Sequence, residues 1–291
     1  MTYAYYPGCS LHSSAKEYDH SLRAVCSRLG VELVEIEKWF CCGTTPAHSV
    51  SRLLAAALPL GNLAIVQKMR LKEVIVPCAA CFWRFKSAVY DVANDNGLRE
   101  KVEEVIKDSG SHDVKVYHPL ELLSLEPQLG EIASLVKRDL TDLKVVCYYG
   151  CLLTRPPKVV QFDVCEYPES MDRILGALGI TTLDWSYKTD CCGASFALTR
   201  TDIVLKLSHE ILDGAKSVGA DAIVVACPLC HTNLDTRQEE IKQTYGLNYE
   251  LPILYFTQLI GLSFGLSPRE MLLGKHFITT EKLLGVKRYA G

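Results

Sequence analysis

Short apolar runs alternate with amphipathic stretches along most of this chain. The runs VIVPC at 74–78 and AIVVAC at 222–227 are almost continuously apolar, which is typical of strands in a parallel sheet covered on both faces. Residues 15–30 and 202–219 instead carry apolar side chains at helical spacing. The pattern therefore predicts an α/β fold in which strands and helices alternate.

The pattern occurs twice, and each half reads as four strands that alternate with helices. The matching segments are 3–9 with 146–151, 31–43 with 180–193, 73–81 with 222–230, and 114–124 with 251–261. We predict two homologous domains, residues 1–135 and 136–291, each a small, mostly parallel sheet flanked by helices. A pseudo-two-fold axis is expected to relate them, and residues 263–291 form an extension beyond the repeat.

Charge and hydropathy narrow the functional classes. The 291 residues include 31 basic and 34 acidic side chains, a net charge of −3, so no basic stripe favours nucleic acid. The longest apolar stretch, 53–66, is too short for a membrane span and contains Pro59, Gly61 and Asn62. The start of the chain lacks the pattern of a secretory signal, and we expect a cytoplasmic protein.

Thirteen cysteines are many for such a chain, and clustered thiols in a reducing compartment favour metal binding or redox chemistry. In each half a cysteine follows the first strand, a CCG follows the second and a C-x2-C follows the third. Parallel strands share one carboxyl edge, so we expect the five sulfurs of each half to converge. They are Cys9, Cys41, Cys42, Cys78 and Cys81, and Cys151, Cys191, Cys192, Cys227 and Cys230.

Five convergent thiols fit the common metal sites poorly. A structural zinc takes four ligands, and ordinary iron–sulfur clusters also use four cysteines. A cluster with several irons offers different atoms to adjacent cysteines, so the spacing favours iron–sulfur, with zinc as the alternative. We expect Gly43 and Gly193 to let the backbone pass close to a bulky inorganic cofactor.

The three other cysteines, Cys26, Cys147 and Cys165, have no counterpart in the opposite half. Free cysteines often lie in cores, so we predict buried thiols on a helix or strand. The C-x3-C formed by Cys147 and Cys151 is interpreted as accidental.

The repeated order of C, CCG and C-x2-C closely resembles the cysteine-rich CCG domain family. The tandem arrangement and the openings YYPGCSLHSSAKEYD at 5–19 and YYGCLLTRPPKVV at 148–160 are similar to those of heterodisulfide reductase B subunits. The resemblance extends from residue 3 to about residue 262.

The resemblance implies that the five cysteines of each half hold one noncubane [4Fe-4S] cluster. It also implies a catalytic subunit that splits a mixed disulfide of the coenzyme M–coenzyme B type into two thiols. We predict paired one-electron steps with the disulfide between the two clusters. The implied partners are the flavin-containing and the ferredoxin-like [4Fe-4S] proteins of the same complex. The alternatives are an electron-transfer CCG subunit of a succinate, glycolate or lactate oxidoreductase and a zinc-stabilised scaffold.

A few other residues lie near the cysteine motifs. His231 follows Cys230 and could donate a proton to a leaving thiolate, although a helix-surface histidine is the alternative. Arg84, Arg155 and Arg200 could bind an anionic substrate tail or form ordinary salt bridges. We expect His118 to pack the fourth strand–helix unit.

Electrons must come from a partner protein, since the chain contains no ferredoxin-type cysteine run and no G-x-G-x-x-G that opens a helix after a strand. The extension 263–291 mixes apolar and basic residues. We therefore consider it part of a docking surface, with packing on its own domain as the alternative.

Overall fold

The computed structural model describes residues 1–44 and 46–285, and its two halves are each built on a four-stranded parallel sheet. The predicted α/β fold is therefore confirmed. In chain order, the strands are β1 (Thr2–Tyr5), β2 (Glu32–Glu35), β3 (Glu73–Ile75), β4 (Lys115–Tyr117), β5 (Lys144–Tyr148), β6 (Thr181–Thr182), β7 (Ala222–Val225) and β8 (Ile253–Tyr255).

Helices flank both sheets. Those of the first half are α1 (Gly8–His12), α2 (Lys16–Arg28), α3 (Pro46–Val50), α4 (Arg52–Lys68), α5 (Ala79–Asn94), α6 (Asn96–Ile106), α7 (Pro119–Leu123) and α8 (Glu126–Ser134). Those of the second half are α9 (Pro157–Val160), α10 (Ser170–Ala177), α11 (Thr201–Ser217), α12 (Pro228–Thr236), α13 (Gln238–Tyr245), α14 (Phe256–Ser263) and α15 (Glu281–Leu284). Within the described ranges, no helix is both long and apolar enough to cross a membrane.

The strand order is the same in both halves, β2-β1-β3-β4 and β6-β5-β7-β8, with all pairs parallel. The first and third strands of each half are central neighbours: Tyr5 lies opposite Ile75, and Tyr148 opposite Val225. The second strand pairs with the outer side of the first. The loops that follow these three strands therefore emerge side by side at one edge, as the sequence predicted.

The halves pack against each other through α2 and α14 and share one apolar core. The buried ring of Tyr18 stacks on Tyr255, with centroids 4.3 Å apart and ring planes 6° from parallel. Ser21 and Thr257 hydroxyls lie 2.7 Å apart in the same interface. The two halves are therefore packed together and not joined by a loose linker alone.

His118 connects the two halves at the edge where the loops meet. It caps α7, where its Nδ1 accepts from Leu120 N–H at 3.2 Å and Glu121 accepts from His118 N–H at 2.7 Å. Its Nε2 lies 2.8 Å from Pro77 O in the first half and 3.2 Å from Ala226 O in the second. His118 thus packs the fourth strand–helix unit, as predicted, and also joins the two C-x2-C loops.

The described part of the extension packs on its own half. Met271 is fully buried, and Asp235 of α12 accepts from Phe277 N–H at 2.7 Å and from Ile278 N–H at 3.2 Å. Residues 286–291 of the predicted docking segment lie outside the described residues, and the docking role stays a prediction.

Candidate functional site

The five predicted sulfurs of the first half lie together at the carboxyl edge of the first sheet. Cys42 Sγ and Cys81 Sγ are 3.1 Å apart. Cys41 interacts with Cys42 and Cys9, and Cys78 interacts with Cys81. Cys9 and Cys41 are exposed, whereas the other three are buried.

The second half repeats this arrangement. Cys192 Sγ and Cys230 Sγ are 3.5 Å apart. Cys151 interacts with Cys191, and Cys227 with Cys230. Cys191 is exposed, Cys151 is half-buried and the other three are buried. The predicted convergence of the five thiols is therefore observed in both halves, and their role as cluster ligands stays a prediction.

The loop before each cysteine pair is held by equivalent contacts. Tyr6 donates to Phe40 O at 2.9 Å, and Tyr148 donates to Asp190 O at 2.6 Å. Asn62 of α4 also clamps Phe40, accepting from its N–H and donating to its C=O, both at 3.0 Å. Because these bonds fix the residue before each pair, they help to position the thiols that follow.

The glycine of each CCG donates its backbone N–H to the sulfur two residues earlier. Gly43 N lies 3.4 Å from Cys41 Sγ, and Gly193 N lies 3.3 Å from Cys191 Sγ. Both have left-handed φ angles, +73° and +76°. A Cβ on Gly43 would meet Leu58, which lies in α4. The turn and the close helix packing are thus each enough to require glycine here, and access for a cofactor stays a prediction.

Two other glycines, which the sequence reasoning missed, lie against sulfurs. A Cβ on Gly8 would be 3.3 Å from Cys81 Sγ, and one on Gly150 would be 3.0 Å from Cys230 Sγ. Their φ angles are +66° and +68°. The signal available in the sequence was the glycine directly before the first cysteine of each half. Glycine here leaves room for a sulfur that would otherwise be pushed aside.

The two groups of thiols lie close to each other. The buried Cys78 and Cys227 are near enough for each to shift the pKa of the other. The peptide carbonyls just before them, of Pro77 and Ala226, are bridged by His118. The ten thiols thus form two adjoining sets along one edge of the molecule.

Each set contains a thiol that readily ionises. Hydrogen bonds from Cys41 and then Cys81 lower the pKa of Cys42 to about 4. A hydrogen bond from Cys151, followed by the Gly193 N–H, lowers the pKa of Cys191 to about 6. The thiolate is the form of cysteine that binds metal, so both sets are suited to a metal centre at neutral pH.

The surroundings of Arg84 indicate what kind of group the first set of thiols can hold. Its side chain is buried, and its Nε and Nη1 lack hydrogen-bond partners among the described residues. The guanidinium interacts electrostatically with Cys42. The guanidinium stacks on the Trp83 ring, 4.5 Å from its centroid, and interacts with Asp91, but neither contact gives Nε or Nη1 an acceptor. Buried donors without acceptors are costly, whereas an iron–sulfur group with thiolate ligands would offer anionic acceptors. The residues therefore fit an iron–sulfur centre, and Arg84 is not the ordinary surface salt bridge of the alternative prediction.

His231 is buried, so the expected alternative of a helix-surface histidine is wrong. Its ring stacks on Tyr255 at 4.5 Å, and its Nε2 lies 3.2 Å from Ile253 O and 2.9 Å from His276 Nδ1. Burial, and then the neighbouring His276, lower the pKa of His231 well below its usual value. The imidazole is neutral at pH 7, and its role as proton donor stays a prediction.

The two remaining arginines pair with carboxylates. Arg155 Nη2 lies 2.5 Å from Glu166 Oε2 and 3.0 Å from Thr189 Oγ1. Arg200 Nη2 lies 2.7 Å from Asp202 Oδ2 in an exposed pair. Both agree with the salt-bridge alternative.

The three unmatched cysteines lie apart from this pattern. Cys26 is buried in α2 and Cys147 in β5, as predicted. Cys165 is half-buried in the loop between α9 and α10, so its predicted position on a helix or strand is wrong. That loop is held by Asp163, which accepts from Ser170 N–H at 2.7 Å.

Two parallel α/β halves, each with five thiols at its carboxyl edge, define a class of tandem cysteine-rich protein. The comparison with known families agrees. This chain belongs to the CCG cysteine-rich domain family, whose model matches residues 3–86 and 145–235.

Named relatives cover nearly the whole chain. It is 30% identical to the 8-methylmenaquinol:fumarate reductase membrane anchor subunit of Wolinella succinogenes, over 97% of this chain and 98% of that one. It is 28% identical to the B subunit of the ferredoxin/F(420)H(2)-dependent CoB-CoM heterodisulfide reductase of Methanosarcina acetivorans, over 91% and 89%. The resemblance to heterodisulfide reductase B subunits is thereby confirmed.

A solved structure shares the fold. A hypothetical protein from Helicobacter pylori superposes with a TM-score of 0.77, covering 96% of this chain and 52% of that one, at 12% sequence identity. At this identity the likeness concerns the fold alone.

Proposed function

We propose that this chain is the disulfide-reducing subunit of an oxidoreductase complex. In each half, the five gathered cysteines would hold one iron–sulfur cluster of the noncubane [4Fe-4S] type. Five thiols per half, a thiol of lowered pKa in each set and the buried Arg84 donors without acceptors support this assignment. A tetrahedral zinc would leave one thiol of each five without a role.

The observation that carries the proposal is the closeness of the two sets: His118 joins their C-x2-C loops through the carbonyls of Pro77 and Ala226, at 2.8 and 3.2 Å. A disulfide is a nearly symmetric substrate, and its reduction takes two electrons and two protons and releases two thiols. When bound, the two clusters would supply one electron each. Adjoining sets suit that division, because one small disulfide can then approach both.

This chain's own residues position the thiols and limit access. His118 and Tyr18 hold the Ala226 carbonyl at the junction, at 3.2 and 3.3 Å, so the two loops keep a fixed separation. Cys9, Cys41 and Cys191 are exposed. We therefore place the substrate at this open edge and assign the two protons to solvent there or, as the sequence suggested, to His231.

Partner proteins would deliver the electrons. Several relatives are named as subunits of reductases, including one of a ferredoxin-dependent enzyme. By analogy, the partners we propose are a flavin-containing protein and a ferredoxin-like [4Fe-4S] protein of the same complex.

A specific observation favours a second function. The relative with 30% identity is named as a subunit of a fumarate reductase. The chain would then pass electrons through its two centres to another protein of its complex, and no disulfide would be cut.

One assay separates the alternatives. The chain is purified without oxygen, reduced with a viologen dye and mixed with the coenzyme M–coenzyme B disulfide, and the thiols are counted. We expect two thiols per disulfide consumed. An electron-transfer subunit would bind iron and sulfide and become reduced, yet release no thiol. A zinc scaffold would contain zinc and no acid-labile sulfide.

Variants with one centre test the paired mechanism. Cys42→Ser and Cys192→Ser should each abolish thiol release while the other centre still accepts electrons. Cys26→Ser is the matched control, because that thiol is buried in α2. Undiminished turnover with a single centre would contradict the division of the two electrons between the sets.

A further inference from the structure

We propose that Arg84 makes the two metal centres unequal, so that the first-half centre has the higher reduction potential. The inference rests on the proposed function, since it concerns the clusters assigned there. It predicts the order in which the centres accept electrons.

The two halves differ at the helical position three residues after the last cysteine of each set. Arg84 comes three residues after Cys81, and Asn233 three residues after Cys230. Asn233 Nδ2 donates to Cys192 O at 3.0 Å and lies 3.8 Å from Cys192 Sγ. Arg84 interacts with the matching thiol of the first half, Cys42. The same helical position therefore presents a cation to one set and a neutral amide to the other.

The Arg84 guanidinium stacks on the Trp83 ring and interacts with Asp91 of the same helix, yet two of its donors have no acceptor among the described residues. Only 5% of the residue is exposed, so solvent screens its charge weakly. Trp83 Nε1 and Ser87 Oγ, on the same stretch of α5, are buried and, like Arg84 Nε and Nη1, lack hydrogen-bond partners among the described residues. Several unsatisfied donors together indicate that a polar group other than a protein side chain accepts hydrogen bonds from them.

A second difference between the halves also makes the second-half centre harder to reduce than the first. The residue before the cysteine pair is Phe40 in the first half and Asp190 in the second. The Asp190 carboxylate repels a negative charge on Cys191. Asp190 is exposed, so its effect is screened by solvent, and we assign the larger share of the difference to Arg84.

The positive charge of Arg84 affects the reduction potential of the first-half centre. Reduction adds an electron to a centre that already carries thiolates, and a buried cation nearby stabilises the reduced form. Cluster type, net charge, hydrogen bonds to sulfur and solvent exposure set the potentials of iron–sulfur clusters. The Asn233 amide, 3.8 Å from Cys192 Sγ, raises the potential of the second-half centre less than the full charge of Arg84 raises that of the first. The first-half centre should therefore accept an electron first, and an electron that enters through the second half should pass on to the first.

The test is an anaerobic redox titration followed by electron paramagnetic resonance. The full chain with Cys192→Ser reports the first-half centre, and the chain with Cys42→Ser reports the second. We expect the first-half centre to be favoured by about tenfold or more in the equilibrium constant, which corresponds to about 59 mV for one electron.

Exchange variants isolate the contribution of Arg84. Arg84→Asn should lower the potential of the first-half centre by an amount that again corresponds to about tenfold in the equilibrium constant. Arg84→Lys keeps the positive charge and should retain most of the wild-type potential. Asn233→Arg should raise the potential of the second-half centre, and the double exchange should reverse the order. Arg99→Gln is the control, because Arg99 forms a partly exposed pair with Glu103 on α6.

Failure of this inference and failure of the proposed function give different results. Unchanged potentials in Arg84→Asn, with full iron content, would overturn the inference. If Arg84→Asn loses its iron, Asn233→Arg decides, and an unchanged second-half potential there would overturn the inference equally. Wild-type protein without iron and acid-labile sulfide would instead refute the proposed function on which the inference rests.

Discussion

Replacing Gly150 with alanine adds a methyl group beside a thiol of the second set. The residue has a left-handed φ of +68°, and the new Cβ would lie 3.0 Å from Cys230 Sγ. The left-handed conformation costs an alanine about 1–2 kcal/mol. Because the interior is closely packed, the sulfur must also move away from the new methyl group by roughly a few tenths of an ångström. Gly150→Ala should therefore destabilise the fold and disturb the second-half centre.

A matched control separates these two effects. Gly219 has a φ of +77°, and a Cβ there would meet no described atom within 4 Å. Gly219→Ala therefore carries the backbone cost alone, which corresponds to a fall in melting temperature of about 2–4 °C per kcal/mol in chains of roughly this size. Only Gly150→Ala should also weaken the centre, by about 10–100-fold in affinity, the usual effect of changes beside metal ligands.

The assay is thermal unfolding together with iron analysis of both variants. Gly150→Ala should lose up to half of the iron, whereas Gly219→Ala should keep all of it and show the smaller fall in melting temperature. Equal iron in the two variants would refute the reasoning that glycine is required here to leave room for the sulfur.

Three other predictions concern the centres, the fold and the partners. Cys42→Ser should lose the iron of one centre, about half of the total, while Cys26→Ser keeps all of it; iron and sulfide analysis would contradict this if both variants matched the wild type. Burial, only partly offset by Lys86, raises the pKa of Glu121 from 4.5 to about 7, so the folded chain binds this proton more tightly and stability falls as pH rises from 4.5 to 7. Glu121→Gln should remove up to about 3 kcal/mol of that fall in unfolding measurements across this range, and parallel curves for the two proteins would argue against it. The isolated chain should carry no flavin and should not oxidise a nicotinamide, and spectroscopic detection of bound flavin with nicotinamide-driven disulfide reduction would disprove the need for a partner.

The sequence predicted the strands and the meeting of the thiols because both follow from local rules. Apolar runs such as AIVVAC mark buried strands, and the carboxyl edge of a parallel sheet brings the following residues together. Cys9 and Cys81 are far apart in sequence, yet the strands they follow are neighbours in the sheet. The same cysteine motif occurs in both halves, and this repetition strengthened the prediction that the thiols meet.

Other features depended on tertiary packing that no local pattern reveals. His231 is buried because the extension brings His276 against it. The sequence alone could not show that Arg84 is buried, since an arginine near a helix start is usually exposed. Gly8 and Gly150 look like ordinary turn glycines until the sulfurs behind them are located.

The central claim, that each half binds an iron–sulfur cluster, is tested most directly by metal analysis of freshly and anaerobically purified protein. Iron, acid-labile sulfide and zinc are measured per chain. The account predicts about eight irons with matching sulfide, from two clusters of the four-iron class, and little zinc. Stoichiometric zinc without acid-labile sulfide would contradict it.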